Sequence, residues 1–244
     1  MSYSVHLLGK KEVARDTLAL SVSRPKGYSF QAGQYATLSV PGINDGFIRE
    51  FSITNAPHEA HLVFVMRIRD SVFKRACAAL SSGARLLLSD ASGALTQFED
   101  GRKELWIAGG IGAAPFRSIV SGMEKAGAMS NVVMLHSNRT AADALFLKYF
   151  QSVQEQHSTF SYFPILTLEG GRIDASLLQS MVPDIRSRMT TVVGTRPFVA
   201  AMYEALSTNG VPPGLMRKER FCGYTTHTNN AQQTTHTEHI PIPH

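Results

Sequence analysis

The segment Gly109-Gly110-Ile111-Gly112-Ala113-Ala114-Pro115 constrains the fold of this chain more than any other stretch. It follows Leu105-Trp106-Ile107-Ala108, an apolar run short enough for a buried strand. It precedes Phe116, Ile119, Val120 and Met123, which repeat at i, i+3, i+4 and i+7 until Gly127. A strand thus feeds a helix through a glycine turn. Pro115 suits the first helical turn, where its missing N–H costs nothing. Gly110 and Gly112 remove Cβ atoms where a ligand backbone would approach. The helix N-terminus offers free N–H groups and partial positive charge to a phosphate. The spacing is not G-x-G-x-x-G, so the common dinucleotide fingerprint does not apply. Taken alone, the segment also fits a plain tight strand–helix connection.

The alternation continues to the C-terminal side. Val132–His136 reads as a strand. Thr140-x-x-Asp143 has capping-box spacing ahead of a helical face of Leu145, Phe146, Tyr149, Phe150 and Val153. Phe160–Leu168 and Thr191–Val193 read as strands. Phe198, Met202, Ala205 and Leu206 form a helix face stopped by Gly210, and Leu215–Phe221 is a last strand. This pattern predicts an α/β doubly wound parallel sheet. The first hundred residues differ. Strands are expected at Ser4–Leu8, Thr17–Ser23, Tyr35–Val40, Ile48–Ile53, Leu62–Ile68 and Arg85–Leu88, punctuated by Gly and Pro. They predict a small antiparallel β-barrel, interrupted by one helix over Val72–Leu80 behind Ser71 as N-cap. The expected division is two domains, a barrel over 1–100 and an α/β domain over 101–224. The Thr-, Asn- and Gln-rich residues 225–244 read as a disordered tail.

Composition narrows the function. The chain has 244 residues, 43% hydrophobic and 18% charged, which is ordinary for folded domains. Its formal net charge is +5, but the basic residues are scattered, so nucleic-acid binding is not expected. Two cysteines provide no disulfide framework, no zinc spacing and too few thiols for a plant-type iron–sulfur cluster. The histidines of the tail (His227, His236, His239, His244) have no ordered geometry around them, so no metal site is expected. No apolar run approaches the roughly 18 residues of a membrane span, and the first residues lack a signal peptide. A cytoplasmic protein without membrane insertion is the expectation.

The second informative segment is Arg49-Glu50-Phe51-Ser52, in an extended stretch. On a strand, Arg49 and Phe51 point to one face and Ser52 to the other. A Phe ring can cover an isoalloxazine, a Ser hydroxyl can bond its N5 or O4 edge, and Arg can neutralise a pyrophosphate. By itself the tetrapeptide is a weak signal and more often marks an ordinary edge strand.

Together, in this order, the segments resemble the ferredoxin–NADP reductase superfamily, in which an FAD-binding β-barrel precedes an NAD(P)-binding domain. The resemblance covers about residues 3 to 224. Arg49, Phe51 and Ser52 match the Arg-x-Tyr/Phe-Ser/Thr flavin motif, and Ala32-Gly33-Gln34-Tyr35 matches the Gly-Gln segment leading to it. Gly109–Pro115 matches Gly-Gly-x-Gly-x-x-Pro, and Glu219-x-Phe221-x-Gly223-Tyr224 matches the family's ending. The resemblance implies that FAD is held by Arg49, Phe51, Ser52, Ser71 and the N–H groups of Val72 and Phe73. It implies that NADPH or NADH is held by Gly110, Ile111, Gly112, Pro115, Ser137 and Arg139. Ser52 would steady N5, and Phe221 or Tyr224 would cover the other flavin face. Arg139 with Ser137 leans towards NADPH.

The implied activity is an NAD(P)H-dependent FAD reductase, a stand-alone reductase without an iron–sulfur domain. It would deliver single electrons to a separate partner, a ferredoxin or an oxygenase component. A reductase of free flavin or ferric complexes is one alternative, and a non-catalytic flavin-binding electron-relay subunit another. Three positions depart from the pattern. Ala114 stands where relatives often have Thr. Val193 stands where many have a Cys beside the nicotinamide. Asp90-Ala91-Ser92-Gly93 stands in place of Gly-Pro-x-Gly.

Overall fold

The computed structural model describes residues 2–43, 49–96, 98 and 100–221, with only the backbone of Phe221. Two sheets account for the strands. The first is antiparallel. It contains β1 (Ser2–Ala14), β2 (Thr17–Val22), β3 (Tyr35–Ser39), β4 (Glu50–Ser52), β5 (Leu62–Arg67) and β6 (Arg85–Ser89). Their order is β4-β3-β6-β1-β2-β5. An Ile53↔Phe64 bridge and the bond from Thr54 N–H to the Val63 carbonyl (2.9 Å) join the two ends, closing a barrel. Closure removes the open edges that a six-stranded sheet would otherwise expose. The interior is apolar: Val5, Leu20, Phe64, Leu86 and Leu88 are buried together with Phe73 and Cys77 of α1 (Val72–Ala79). Ser71 caps that helix, accepting from the Lys74 N–H, as expected.

The second sheet is parallel, with β7 (Glu104–Gly109), β8 (Val132–Asn138), β9 (Phe160–Leu166), β10 (Met189–Thr195) and β11 (Met216–Phe221). Its order is β11-β10-β7-β8-β9. Helices cover both faces. Phe116, Ile119 and Met123 of α2 (Ala114–Ala126) and Phe150 of α3 (Leu147–Gln156) pack on Trp106 and Phe160. On the other face, Leu178 of α4 (Ala175–Met181) and Val199 and Leu206 of α5 (Arg196–Thr208) pack on Leu105, Ile107 and Val192. Chain progress from β7 runs outward through β8 to β9, then returns across the sheet to β10. The order therefore reverses between β7 and β10, and ligands of open α/β sheets bind at the carboxyl ends of the strands at such a point.

Three local expectations are corrected. The Thr140–Asp143 capping box exists, but it caps a 3-10 turn over Ala141–Asp143. Helix α3 starts only at Leu147, behind Phe146 in the left-handed region (φ 61°), so Leu145 and Phe146 belong to the connection. Helix α4 was not anticipated: only Leu178 of its seven residues is buried, which leaves almost no periodic signal. Strand β4 covers Glu50–Ser52; Ile48 lies outside the described residues. Residues 225–244, read as a tail, also lie outside them. Among the described residues no helix is long and apolar enough to cross a membrane.

Candidate functional site

The glycine turn sits where the strand order reverses. After β7, Gly110–Ala113 forms a 3-10 turn that runs directly into α2, with Pro115 in the first turn of that helix. The glycines have different reasons to be glycine. Gly110 has φ +54°, a region that costs other residues strain, and its missing Cβ faces only the Arg67 guanidinium, 3.9 Å away. A Cβ on Gly112 would lie 2.4 Å from the Val193 carbonyl oxygen. Gly112 is therefore required at least by its contact with β10. Phe198, at the start of α5, packs over Gly109 and Gly194, where added Cβ atoms would lie 2.8 and 2.6 Å from its ring.

Two of the unusual positions face inwards. Ala114 is 2% exposed, in a small apolar cluster with Ala19 and Val65 of the barrel and Leu145. A hydroxyl there would need a buried partner. Val193 is fully buried among the residues under α2.

Beside the turn, at the ends of β8 and β9, lies a cavity of about 290 Å³ lined by Ser137, Thr167, Arg172, Ile173, Pro197, Phe198, Ala201 and Met202. That is near the lower end of ligand-pocket sizes, roughly 300–1,000 Å³. Ser137 lines it. Arg139 is exposed nearby, its carbonyl accepting from the Leu168 N–H at 3.2 Å. Arg172 supplies the lining guanidinium. The signal for Arg172 was faint, a Gly-Gly-Arg run ahead of the Asp174 cap.

On the barrel, Arg49, Phe51 and Phe73 come together. The Phe51 and Phe73 rings stack with centroids 5.9 Å apart, and the Arg49 guanidinium lies 4.5 Å over Phe73. The shared face of Arg49 and Phe51 follows from strand alternation. Phe51 is 9% exposed and Phe73 2%, so the Phe51 ring is committed to the barrel core and is not an open plate. Ser52 is 5% exposed, and its Oγ has no hydrogen-bond partner among the described residues. An orphaned buried hydroxyl is what the polar edge of a flavin would satisfy. The barrel thus fits the group at Ser52 and at the capped start of α1. Around that start, burial and the neighbouring Arg69, Arg49 and Arg67 hold the Lys74 ammonium below its ordinary pKa. Such crowding of cations favours an anion.

The two halves meet along a seam. The Ser118 hydroxyl of α2 donates to the Asn55 carbonyl (2.8 Å) and accepts from the Gly33 N–H (3.3 Å). Arg117 pairs with Glu59, which also accepts from Ser121 Oγ (3.2 Å) and the Ala56 N–H (2.7 Å). At the other end of the seam, burial and then the Glu50 carboxylate push Glu219 up to about 7. Glu50 belongs to β4 and Glu219 to β11, so a carboxylate of the flavin-motif strand is near enough to act electrostatically on the last parallel strand. Phe221 ends β11, and its side chain lies outside what the structure describes, as does all of Tyr224. Arg67 and the titration of Glu219 were not anticipated. Both depend on long-range proximity that no local motif carries.

Residues 106–204 match the oxidoreductase NAD-binding domain family. The reductase subunit of an aromatic O-demethylase from an Amycolatopsis species is 27% identical over 226 residues, covering 86% of this chain and 66% of that one. An Amycolatopsis cytochrome P450 reductase structure superposes with TM-score 0.80 at 25% identity, covering 91% of this chain and 70% of that one. A ferredoxin NADP+ reductase from Neisseria gonorrhoeae, with bound FAD and NADP, superposes at 0.77 and 23% identity, covering 90% and 98%. The chain spans 59–66% of the length of three curated relatives it matches. With its barrel, its parallel sheet and the glycine turn between β7 and α2, the chain is similar in sequence and fold to members of the ferredoxin–NADP reductase superfamily.

Proposed function

We propose that this chain is an NAD(P)H-dependent flavoprotein reductase that holds FAD on the barrel and passes electrons to a separate acceptor, a ferredoxin or an oxygenase component. The observation that carries this reading is the meeting of two sites across one seam. The glycine turn lies at the point of strand-order reversal with Arg67 of the barrel beside it, and the Ser118 hydroxyl of α2 donates to the carbonyl of Asn55, just past the flavin-motif strand. When bound, FAD supplies the conversion of a hydride donor's two electrons into single transfers. The chain's own residues orient and exclude. Ser52 Oγ would bond the polar edge of the flavin, and Phe51 would back that site from the barrel core. Arg49, Ser71 and the N–H groups of Val72 and Phe73 receive its pyrophosphate.

The N–H groups of Ile111 and Gly112, at a helix start shaped by Pro115, receive the phosphates of the nucleotide, with Gly110 open towards Arg67. Ser137, Arg139 and Arg172 receive its adenosine end. Glu219, its carboxyl raised to about 7 by burial and Glu50, can take up a proton at the seam near neutral pH. Phe221 and Tyr224 are proposed to cover the outer flavin face. A barrel over 1–100, an α/β domain over 101–224 and a cytoplasmic location accompany this reading.

Two guanidiniums near Ser137 favour NADPH over NADH. The test is kcat/KM for both nucleotides in the wild type and in Arg139→Ala/Arg172→Ala. The double variant should lose about tenfold or more with NADPH, the scale of a lost charge-assisted contact, and stay within about threefold with NADH. An unchanged preference would remove both arginines from the assignment.

A further inference from the structure

His136 is the one histidine among the described residues that is fully buried, and nothing assigned so far uses it. It lies near the end of β8, paired across the sheet with Ala108 of β7, one residue before the glycine turn begins. Its Nε2 is 2.8 Å from the Gly110 carbonyl oxygen and its Nδ1 is 3.0 Å from the Tyr162 hydroxyl on β9. A carbonyl oxygen only accepts, so Nε2 carries the hydrogen and donates. Nδ1 of the neutral ring then accepts from Tyr162. Burial supports the neutral form, pushing the imidazole down to about 4. The Phe150 ring packs edge-on at 6.4 Å, closing the site on its apolar side.

The consequence follows from the peptide bond. The unit between Gly110 and Ile111 is planar and trans, so its C=O and N–H point in opposite directions. With the carbonyl held by His136, the Ile111 N–H points to the opposite side, away from the imidazole. Gly110 sits at φ +54°, and glycine adopts positive and negative φ with similar ease. The 3-10 turn over Gly110–Ala113 begins at this peptide, and a donor fixed behind its carbonyl narrows its orientation further before a ligand arrives, which lowers the cost of binding.

We propose that His136, oriented by Tyr162, is a positioning residue that sets the glycine-turn peptide for the phosphates of the nicotinamide dinucleotide. The inference rests on the nucleotide-binding reading above. His136 touches neither nucleotide nor flavin; it acts through the Gly110 carbonyl. Glutamine can place an N–H donor where Nε2 stands, whereas leucine fills the space without one.

The test compares His136→Leu, His136→Gln and Tyr162→Phe in the FAD-loaded protein, using steady-state kinetics and the affinity for ADP-ribose. ADP-ribose carries the pyrophosphate without the nicotinamide. His136→Leu should raise KM for the preferred nucleotide and Kd for ADP-ribose about tenfold, the equivalent of about 1.4 kcal/mol, with kcat within about twofold. His136→Gln should recover most of that loss, and Tyr162→Phe should show a smaller shift of the same kind. A purely structural role would lower the melting temperature of the leucine and glutamine variants alike, with no split between KM and kcat. That result, or unchanged ADP-ribose affinity in folded His136→Leu, overturns the inference. If His136→Leu does not fold, Tyr162→Phe decides: unchanged KM and Kd overturn it. Failure of the wild type itself to bind ADP-ribose would instead overturn the nucleotide reading beneath it.

Discussion

A hydroxyl at 5% exposure with no partner among the described residues costs stability unless something bonds it. Ser52 therefore separates two roles cleanly. Ser52→Ala should leave the FAD-free protein as stable as the wild type or slightly more so. It should slow flavin reduction by about tenfold or more, the scale of one lost donor at a developing charge. Differential scanning fluorimetry and stopped-flow absorbance read the two effects separately. Glu219 gives a prediction in pH. Burial and Glu50 raise its folded pKa to about 7, above the unfolded value. Protonation is thus favoured in the folded state, and stability is lost as pH rises from the unfolded value of about 4.3 through the folded one. Glu219→Gln should melt higher than the wild type at pH 8, by the equivalent of about 1 kcal/mol, and the gap should close by pH 4. A gap that does not depend on pH would show that the carboxyl does not titrate in this window.

Elements were legible to the extent that their signals were local. The turn at Gly109–Pro115, the Ser71 cap and the capping box at Thr140 each involve residues within a few positions, and each is present. Where the capping box leads was not legible, because Phe146 adopts φ 61° and delays α3. Helix α4 was invisible because Leu178 alone is buried. The packing constraint on Gly112 was not legible either. Its constraint comes from Val193, a strand reached only after the chain has crossed the sheet and returned. The two glycines should respond differently to alanine. Gly112→Ala puts a Cβ 2.4 Å from backbone that cannot easily move, and should cost about 2 kcal/mol or more of stability by urea denaturation. Gly110→Ala has space but a positive φ, and should cost about 1 kcal/mol. Equal losses would contradict this division.

At the scale of the molecule, function depends on how the barrel meets the parallel sheet. That seam was the least legible feature, since Arg67 and Glu59 belong to no motif and the motif of Glu219 does not announce Glu50 in the other half. Burial works against the Glu59 carboxylate, but hydrogen bonds from Arg117, the Ala56 N–H and Ser121 outweigh it and hold its pKa below the ordinary value. This stabilisation is present above about pH 4.3 and fades as pH falls through the lowered pKa. The central claim is that the two halves hold FAD and a nicotinamide nucleotide against each other for hydride transfer. The most direct measurement is the visible absorbance of the purified, FAD-supplemented protein during anaerobic titration with NADPH and with NADH. The account predicts a yellow protein whose band near 450 nm bleaches rapidly, as oxidised flavin absorbs at about that wavelength and reduced flavin does not. A protein that takes up no FAD, or one that stays yellow with both nucleotides, would contradict it.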